Sequence, residues 1–171
     1  FRPLRFEALR RRAFIARVEL HARGLDAIDD PALRQLATAA GRRLRDRGFA
    51  SDPVAQAFAL VREASGRVLG KRHYDTQLSV GALLLQDTLV EMATGEGKTF
   101  AATLAAVTAA LAGLPVHVIT VNDYLAARDA QEMEPLYRFF GLRVDAVVHG
   151  MTREQRRAVY AGDVVYASNK E

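Results

Sequence analysis

Six consecutive residues, Thr94-Gly95-Glu96-Gly97-Lys98-Thr99, stand between a short, partly apolar run from Thr88 to Met92 and an alanine-rich stretch reaching about Ala112. Two glycines one residue apart tolerate left-handed dihedrals and close approach by a ligand, and the Lys-Thr pair after them adds an ammonium and a hydroxyl. Read as strand, loop and helix, the segment turns successive backbone N–H groups inward at a helix N-terminus, which makes an anion site backed by the helix dipole. Lys98 would then reach the β- and γ-phosphates of a nucleotide, and the Thr99 hydroxyl would ligate a bridging Mg2+. The candidate ligand-binding residues are therefore Thr94, Gly95, Glu96, Gly97, Lys98 and Thr99. Lys98 and Thr99 are the candidate catalytic pair, and Thr99 is the candidate metal ligand. A turn that only caps a helix would need neither the lysine nor the threonine at this spacing.

The segments on either side say what kind of fold carries the loop. Residues 4–22 read as a helix that Gly24 ends, and Asp29-Asp30-Pro31 supplies an N-cap with a proline in the first turn for a second helix to about Arg45, in which Gly41 is a weak point. Ser51-Asp52-Pro53 repeats the start signal for a third helix ending at Leu69-Gly70, and Asp75 to Leu85 reads as a fourth. Beyond the loop and its helix, Pro115 to Val121 has the β-branched content of a buried parallel strand, and Asn122 or Asp123 can cap a helix through Phe140. Val144 to Val148 reads as a further strand, Thr152 caps a helix carrying Glu154 to Tyr160, and Asp163 to Ala167 reads as a last strand. With Thr88 to Met92 this makes four strands alternating with helices, the pattern of a parallel α/β sheet behind a helical N-terminal segment.

Composition limits the alternatives. The chain has 171 residues and no cysteine, so neither disulfides nor thiolate zinc sites can hold it, and packing must. Its longest apolar candidate, Ala101 to Ala112, is broken by Thr103 and Thr108 and is shorter than the roughly 18 residues a membrane span needs, which predicts a soluble or peripheral protein. The chain opens on Phe1, and Phe1 to Arg12 lacks the apolar core of a signal peptide, so the start reads as trimmed. The net charge of +4 conceals a split: residues 1–48 hold 12 Arg against 6 acids, and residues 49–171 hold 12 Lys plus Arg against 14 acids. A basic front of this kind suits anionic lipid, nucleic acid or an acidic partner, or is simply the solvated side of helices; no aromatic residues interleave with the arginines as a single-strand binder would need.

Two words flanking the loop are more specific than the loop itself. Val68-Leu69-Gly70-Lys71-Arg72-His73-Tyr74-Asp75-Thr76-Gln77-Leu78 precedes it, and Thr120-Val121-Asn122-Asp123-Tyr124-Leu125-Ala126-Ala127-Arg128-Asp129 follows it. With Glu91-Met92, Pro135-Leu136, Gly141-Leu142 and the closing run Asp163 to Glu171, the chain from about Asp29 onwards resembles the SecA preprotein translocase ATPases. The resemblance implies a helical lead-in over residues 1–70 and, over 71–171, an incomplete first nucleotide-binding domain of the RecA-like P-loop type. It implies ATP and Mg2+ as ligands, with Gln77 recognising adenine through an amide that both donates and accepts. It also implies unfolded preprotein and a SecYEG-type channel as partners, and a cytoplasmic location peripheral to the membrane, with anionic lipid as a further contact and nucleic acid disfavoured. Tyr124 is expected to pack in the core and Arg128 to be an ion-pair partner. Three positions depart from the family's usual pattern: Lys71 replaces a methionine and Tyr74 a phenylalanine beside the adenine pocket, and Ala93 replaces the arginine before the loop.

The acid that holds magnesium in the second motor motif, and the residues that position water and stabilise charge on the departing phosphates, do not occur in these residues. The piece alone is therefore expected to bind nucleotide weakly and not to turn it over. Two other functions compete. Met92 occupies the position of the first glycine in the general phosphate-loop pattern, so the match is to the T-G-x-G-K-T form seen in helicase-like motors, and a DEAD-type helicase fragment would also explain the basic front. Such helicases carry a Pro-Thr-Arg-Glu-like element after the second strand, where this chain has Val121-Asn122-Asp123-Tyr124-Leu125. A non-catalytic interaction module with a decayed site is the other alternative, against which stand the intact Gly95, Gly97, Lys98 and Thr99.

Overall fold

The computed structural model describes residues 4–171, with side chains from residue 10. The reading of Phe1 as a trimmed start falls outside the described residues. Helix α1 (Leu4–Ala22) leads through a short 3-10 turn to α2 (Asp30–Arg47), α3 (Ser51–Leu69) and α4 (Asp75–Leu84). Then come α5 (Lys98–Leu111), β1 (Val116–Thr120), α6 (Asp123–Phe139), β2 (Val144–Ala146), α7 (Arg153–Tyr160) and β3 (Val164–Ser168). The three strands are parallel, in the order β1-β3-β2.

Local signals set most of these boundaries. Asp29 accepts a hydrogen bond from Ala32 N at 2.9 Å, Asn122 from Leu125 N at 2.9 Å and Thr152 from Gln155 N at 3.2 Å, so three helices start where a capping oxygen satisfies an orphan amide. The third helix starts differently. Ala50 is its N-cap, with no side-chain cap, and Asp52 instead accepts from Arg43 and pairs with His21, both at 2.9 Å.

One core joins the helices to the sheet. Val18, Leu33, Phe58, Leu104, Leu136 and Tyr166 belong to a single buried cluster, with α3 packed against α1, α2, α5 and α6. Strand β3 is buried along its whole length: Val164 and Tyr166 join this main core, while Val165 and Ala167 meet Val147 and Val159 in a smaller cluster on the other face. The weak point expected at Gly41 is a packing requirement, because a Cβ there would stand 2.3 Å from the Leu111 carbonyl oxygen, to which Arg45 also donates at 3.2 Å. The end of α5 thus lies directly on α2, which holds the helix that follows the glycine loop by its far end.

Three expectations are corrected. Thr88 to Met92 is not a strand: no strand of the sheet ladders with it and Leu89 is 98% exposed, and extended chain without a hydrogen-bonding neighbour has nothing to hold it as β-structure. Strand β1 is a half-buried edge strand rather than a buried one: Val116 and Val118 pack against the main core, while His117 and Ile119, on its other face, point outward. Tyr124 is 73% exposed and not in the core. The buried face of α6 runs through Ala126, Asp129, Ala130 and Met133, and a residue two positions before Ala126 points to the opposite side of the helix. β2 is also shorter than expected, ending at Ala146 rather than Val148.

The arginines of the front half brace the helices. Arg17 donates to Ser51 at 2.8 Å, Arg43 to Gln56 at 2.7 Å, and Arg34 lies 5.1 Å from the centre of the Phe139 ring. No helix among the described residues is long and apolar enough to cross a membrane.

Candidate functional site

The loop between α4 and α5 is exposed over Ala93 to Glu96, and both of its glycines are left-handed, at φ 88° for Gly95 and 76° for Gly97. Gly97 is the N-cap of α5 and no side chain caps that helix, so the first-turn amides of Lys98, Thr99 and Phe100 have no intrahelical partner and surround the loop with donors. A Cβ on Gly97 would stand 2.7 Å from Gln77 Nε2, so this glycine is required by both dihedral and space. The loop is clasped at its entry: Lys98 Nζ donates to Ala93 O at 2.9 Å, and the Glu96 carboxylate accepts from Ala93 N at 3.0 Å.

Gln77 is brought to this loop from the first turn of α4. Its Oε1 accepts from Tyr74 N at 3.0 Å and its Nε2 donates to Glu96 O at 3.0 Å, with the residue 4% exposed. One N–H and one lone pair of the amide remain beyond these bonds. Gln77 therefore ties the start of α4 to the loop, a role that spacing alone did not indicate.

Two further residues shape the site and were not singled out from the sequence. His73 is 1% exposed and stacks on Phe100 of α5, with ring centres 3.8 Å apart and planes at 4°. Its Nε2 lies 3.0 Å from Phe100 O and 3.1 Å from Thr103 Oγ1. Burial pushes the imidazole down to about 4, so at neutral pH it is uncharged, donating to Phe100 O from Nε2. This ring fixes the connection before α4 onto α5, four residues ahead of Gln77. The other is Asp129 on α6, which accepts from the Thr99 hydroxyl at 3.2 Å and from Arg128 at 2.6 and 2.9 Å. Arg128 is thus the ion-pair partner expected of it. A carboxylate in phase with Ala126, Ala130 and Met133 on an apolar helix face was the signal that could have found Asp129.

The contiguous residues Thr94 to Thr99 and the distant Gln77 thus meet at one place, and the exposed Tyr74 begins the helix beside it. Among the described residues no group of three or more His, Asp or Glu side chains is placed to hold a metal ion. A divalent ion here would depend on a single protein oxygen and on the ligand's phosphates, which suits Mg2+, a cation that keeps most of its water.

The family model described as the SecA DEAD-like domain matches residues 5–171. Protein translocase subunit SecA 2 of Bordetella avium is 50% identical over 161 residues, covering 94% of this chain and 24% of the relative. Protein translocase subunit SecA of Dichelobacter nodosus is 50% identical over 145 residues, covering 85% of this chain and 16% of the relative. Its counterpart in Acetivibrio thermocellus is 46% identical over 165 residues, covering 96% and 18%. The chain therefore spans a quarter or less of the length of these relatives. A partial parallel sheet behind a helical segment, a loop with two left-handed glycines at the head of α5 and a family match over nearly the whole chain converge on one conclusion: the chain belongs to the SecA DEAD-like domain family.

Proposed function

We propose that these residues are the ATP-binding portion of a SecA-type motor that couples ATP hydrolysis to the passage of unfolded preproteins across a membrane. The observation that carries this reading is the loop itself: two left-handed glycines and an uncapped helix N-terminus, with a lysine and a threonine as the first two helical residues. Residues 1–70 act as a helical lead-in and 71–171 as part of the first nucleotide-binding domain. Gly95 to Thr99 would receive the phosphates on their amides, and Lys98 would leave Ala93 O to neutralise phosphate charge. The Thr99 hydroxyl would ligate Mg2+, and Gln77 would offer its remaining N–H and lone pair to the adenine edge. Held by the Thr99 hydroxyl, Mg2+ would supply positive charge to offset that of the phosphates.

These 171 residues by themselves are proposed to bind nucleotide weakly and without turnover. Both carboxylates beside the loop are committed, Glu96 to Ala93 N and Asp129 to Thr99 and Arg128, so neither orients an attacking water. Unfolded preprotein and a SecYEG-type channel are the proposed partners of the complete motor, with anionic lipid as a further contact, at the cytoplasmic face of the membrane. Calorimetry with magnesium-ATP tests the nucleotide site. Binding by the wild type that weakens at least about tenfold in Lys98→Ala supports it, through loss of a charge-assisted contact to phosphate. A folded wild type that gives no binding, or a Lys98→Ala variant that binds equally well, refutes it.

A further inference from the structure

Three other hydroxyls on these helices bond back to their own helix. Thr38 donates to Arg34 O at 3.0 Å, Ser79 to Asp75 O at 2.8 Å and Thr103 to Phe100 O at 2.6 Å. Thr99 does not. Its hydroxyl crosses to another helix and donates to Asp129 Oδ2 at 3.2 Å. That carboxylate is 5% exposed, and its other oxygen, Oδ1, takes two N–H bonds from Arg128 at 2.6 and 2.9 Å. The two oxygens have separate partners: one is anchored by a half-exposed guanidinium, and the other faces the phosphate loop.

We propose that Asp129 is a positioning residue that makes Thr99 a magnesium ligand and couples nucleotide binding to the cation, an inference that rests on the nucleotide reading of the loop. A hydroxyl has one proton and two lone pairs. With its proton committed to Asp129, the Thr99 oxygen turns its lone pairs away from α6 and towards the loop, and the acceptor's negative charge makes that oxygen a better donor to a cation. The same charge acts in the opposite sense on a bare polyphosphate, which it repels across the site. Asp129 therefore favours the magnesium complex of a nucleotide and disfavours the metal-free form. The Arg128 fork fixes the carboxylate in a position where burial of an unpaired charge would be costly.

The test measures the affinity of the protein for fluorescent ADP in Mg2+ and in EDTA, and reads the ratio of the two dissociation constants. Asp129→Ala releases the Thr99 hydroxyl and removes the charge, and is expected to lower the magnesium enhancement about tenfold, the lower end of what outer-shell changes cost metal sites. Asp129→Asn keeps an acceptor of the same shape without the charge, and is expected to lie between wild type and alanine. It also decides the matter alone if the alanine variant does not fold. A magnesium enhancement within twofold of wild type in the folded variants overturns the proposal. If Thr99→Val in the same assay still removes the enhancement, the nucleotide reading survives that result. A folded wild type that binds ADP in neither buffer overturns the nucleotide reading and this inference together.

Discussion

His73 offers a quantitative handle on how the loop is held. Its imidazole is buried between α3 and α5, stacked on Phe100, and burial together with the nearby Arg62 charge outweighs the bond to Phe100 O and lowers it from the ordinary 6.5 to about 4. A histidine depressed in the folded state binds protons more readily when unfolded. The stability it contributes is thus complete above about pH 6.5 and is lost as the pH falls towards 4. Linkage between those two values predicts a loss of about 2 kcal/mol between pH 7.5 and pH 5, rising to about 3 kcal/mol at still lower pH. The assay is urea unfolding at pH 7.5 and pH 5.0 at one ionic strength, for the wild type and for His73→Gln, which can still donate to Phe100 O but cannot titrate. The variant is less stable than wild type at pH 7.5, yet its loss between the two pH values is smaller by about 2 kcal/mol. Equal losses in the two proteins, or an imidazole that titrates near 6.5 by NMR in the folded state, would refute the reasoning.

Two glycine substitutions test positions where the tertiary environment inverts an ordinary preference. Ala for Gly inside a helix normally gains about 0.5–1 kcal/mol, but at Gly41 the new methyl would meet Leu111 O at 2.3 Å. Gly41→Ala is expected to destabilise by about 1–3 kcal/mol, visible as a lower Tm. Gly97→Ala forces a left-handed alanine against Gln77 Nε2, breaks the Gln77–Glu96 bond and is expected to weaken nucleotide affinity at least tenfold in a titration, whereas unchanged affinity would separate Gln77 from the loop's geometry.

The parts of this protein legible in its sequence are those in which cause and effect lie within a few residues. Asp29, Asn122 and Thr152 cap helices through bonds to amides three residues on, so the start of each helix is written where it happens. The loop from Thr94 to Thr99 is legible for the same reason, since its glycines, lysine and threonine act on one another along a single turn of chain. Thr88 to Met92 shows the limit of such reading. Its composition suits a strand, but a strand exists only in company, and the partner is not specified by the five residues themselves. The burial of β1 was misjudged on the same ground, because whether both faces of a strand are covered depends on what packs over them rather than on its own residues.

Fold class, the order of the elements other than Thr88 to Met92, and the glycine loop ahead of α5 were thus determined by the sequence alone, through periodicity, caps and one compact motif. Only the tertiary structure decided that Gln77 holds the loop through Glu96 O, that His73 pins α4 to α5, that Asp129 takes the Thr99 hydroxyl and that Gly41 makes room for the end of α5. Each of these is a contact between residues 19 to 70 positions apart along the chain. A side chain's role at such a distance depends on which helices pack side by side, and that is settled by the shared core rather than by any local preference.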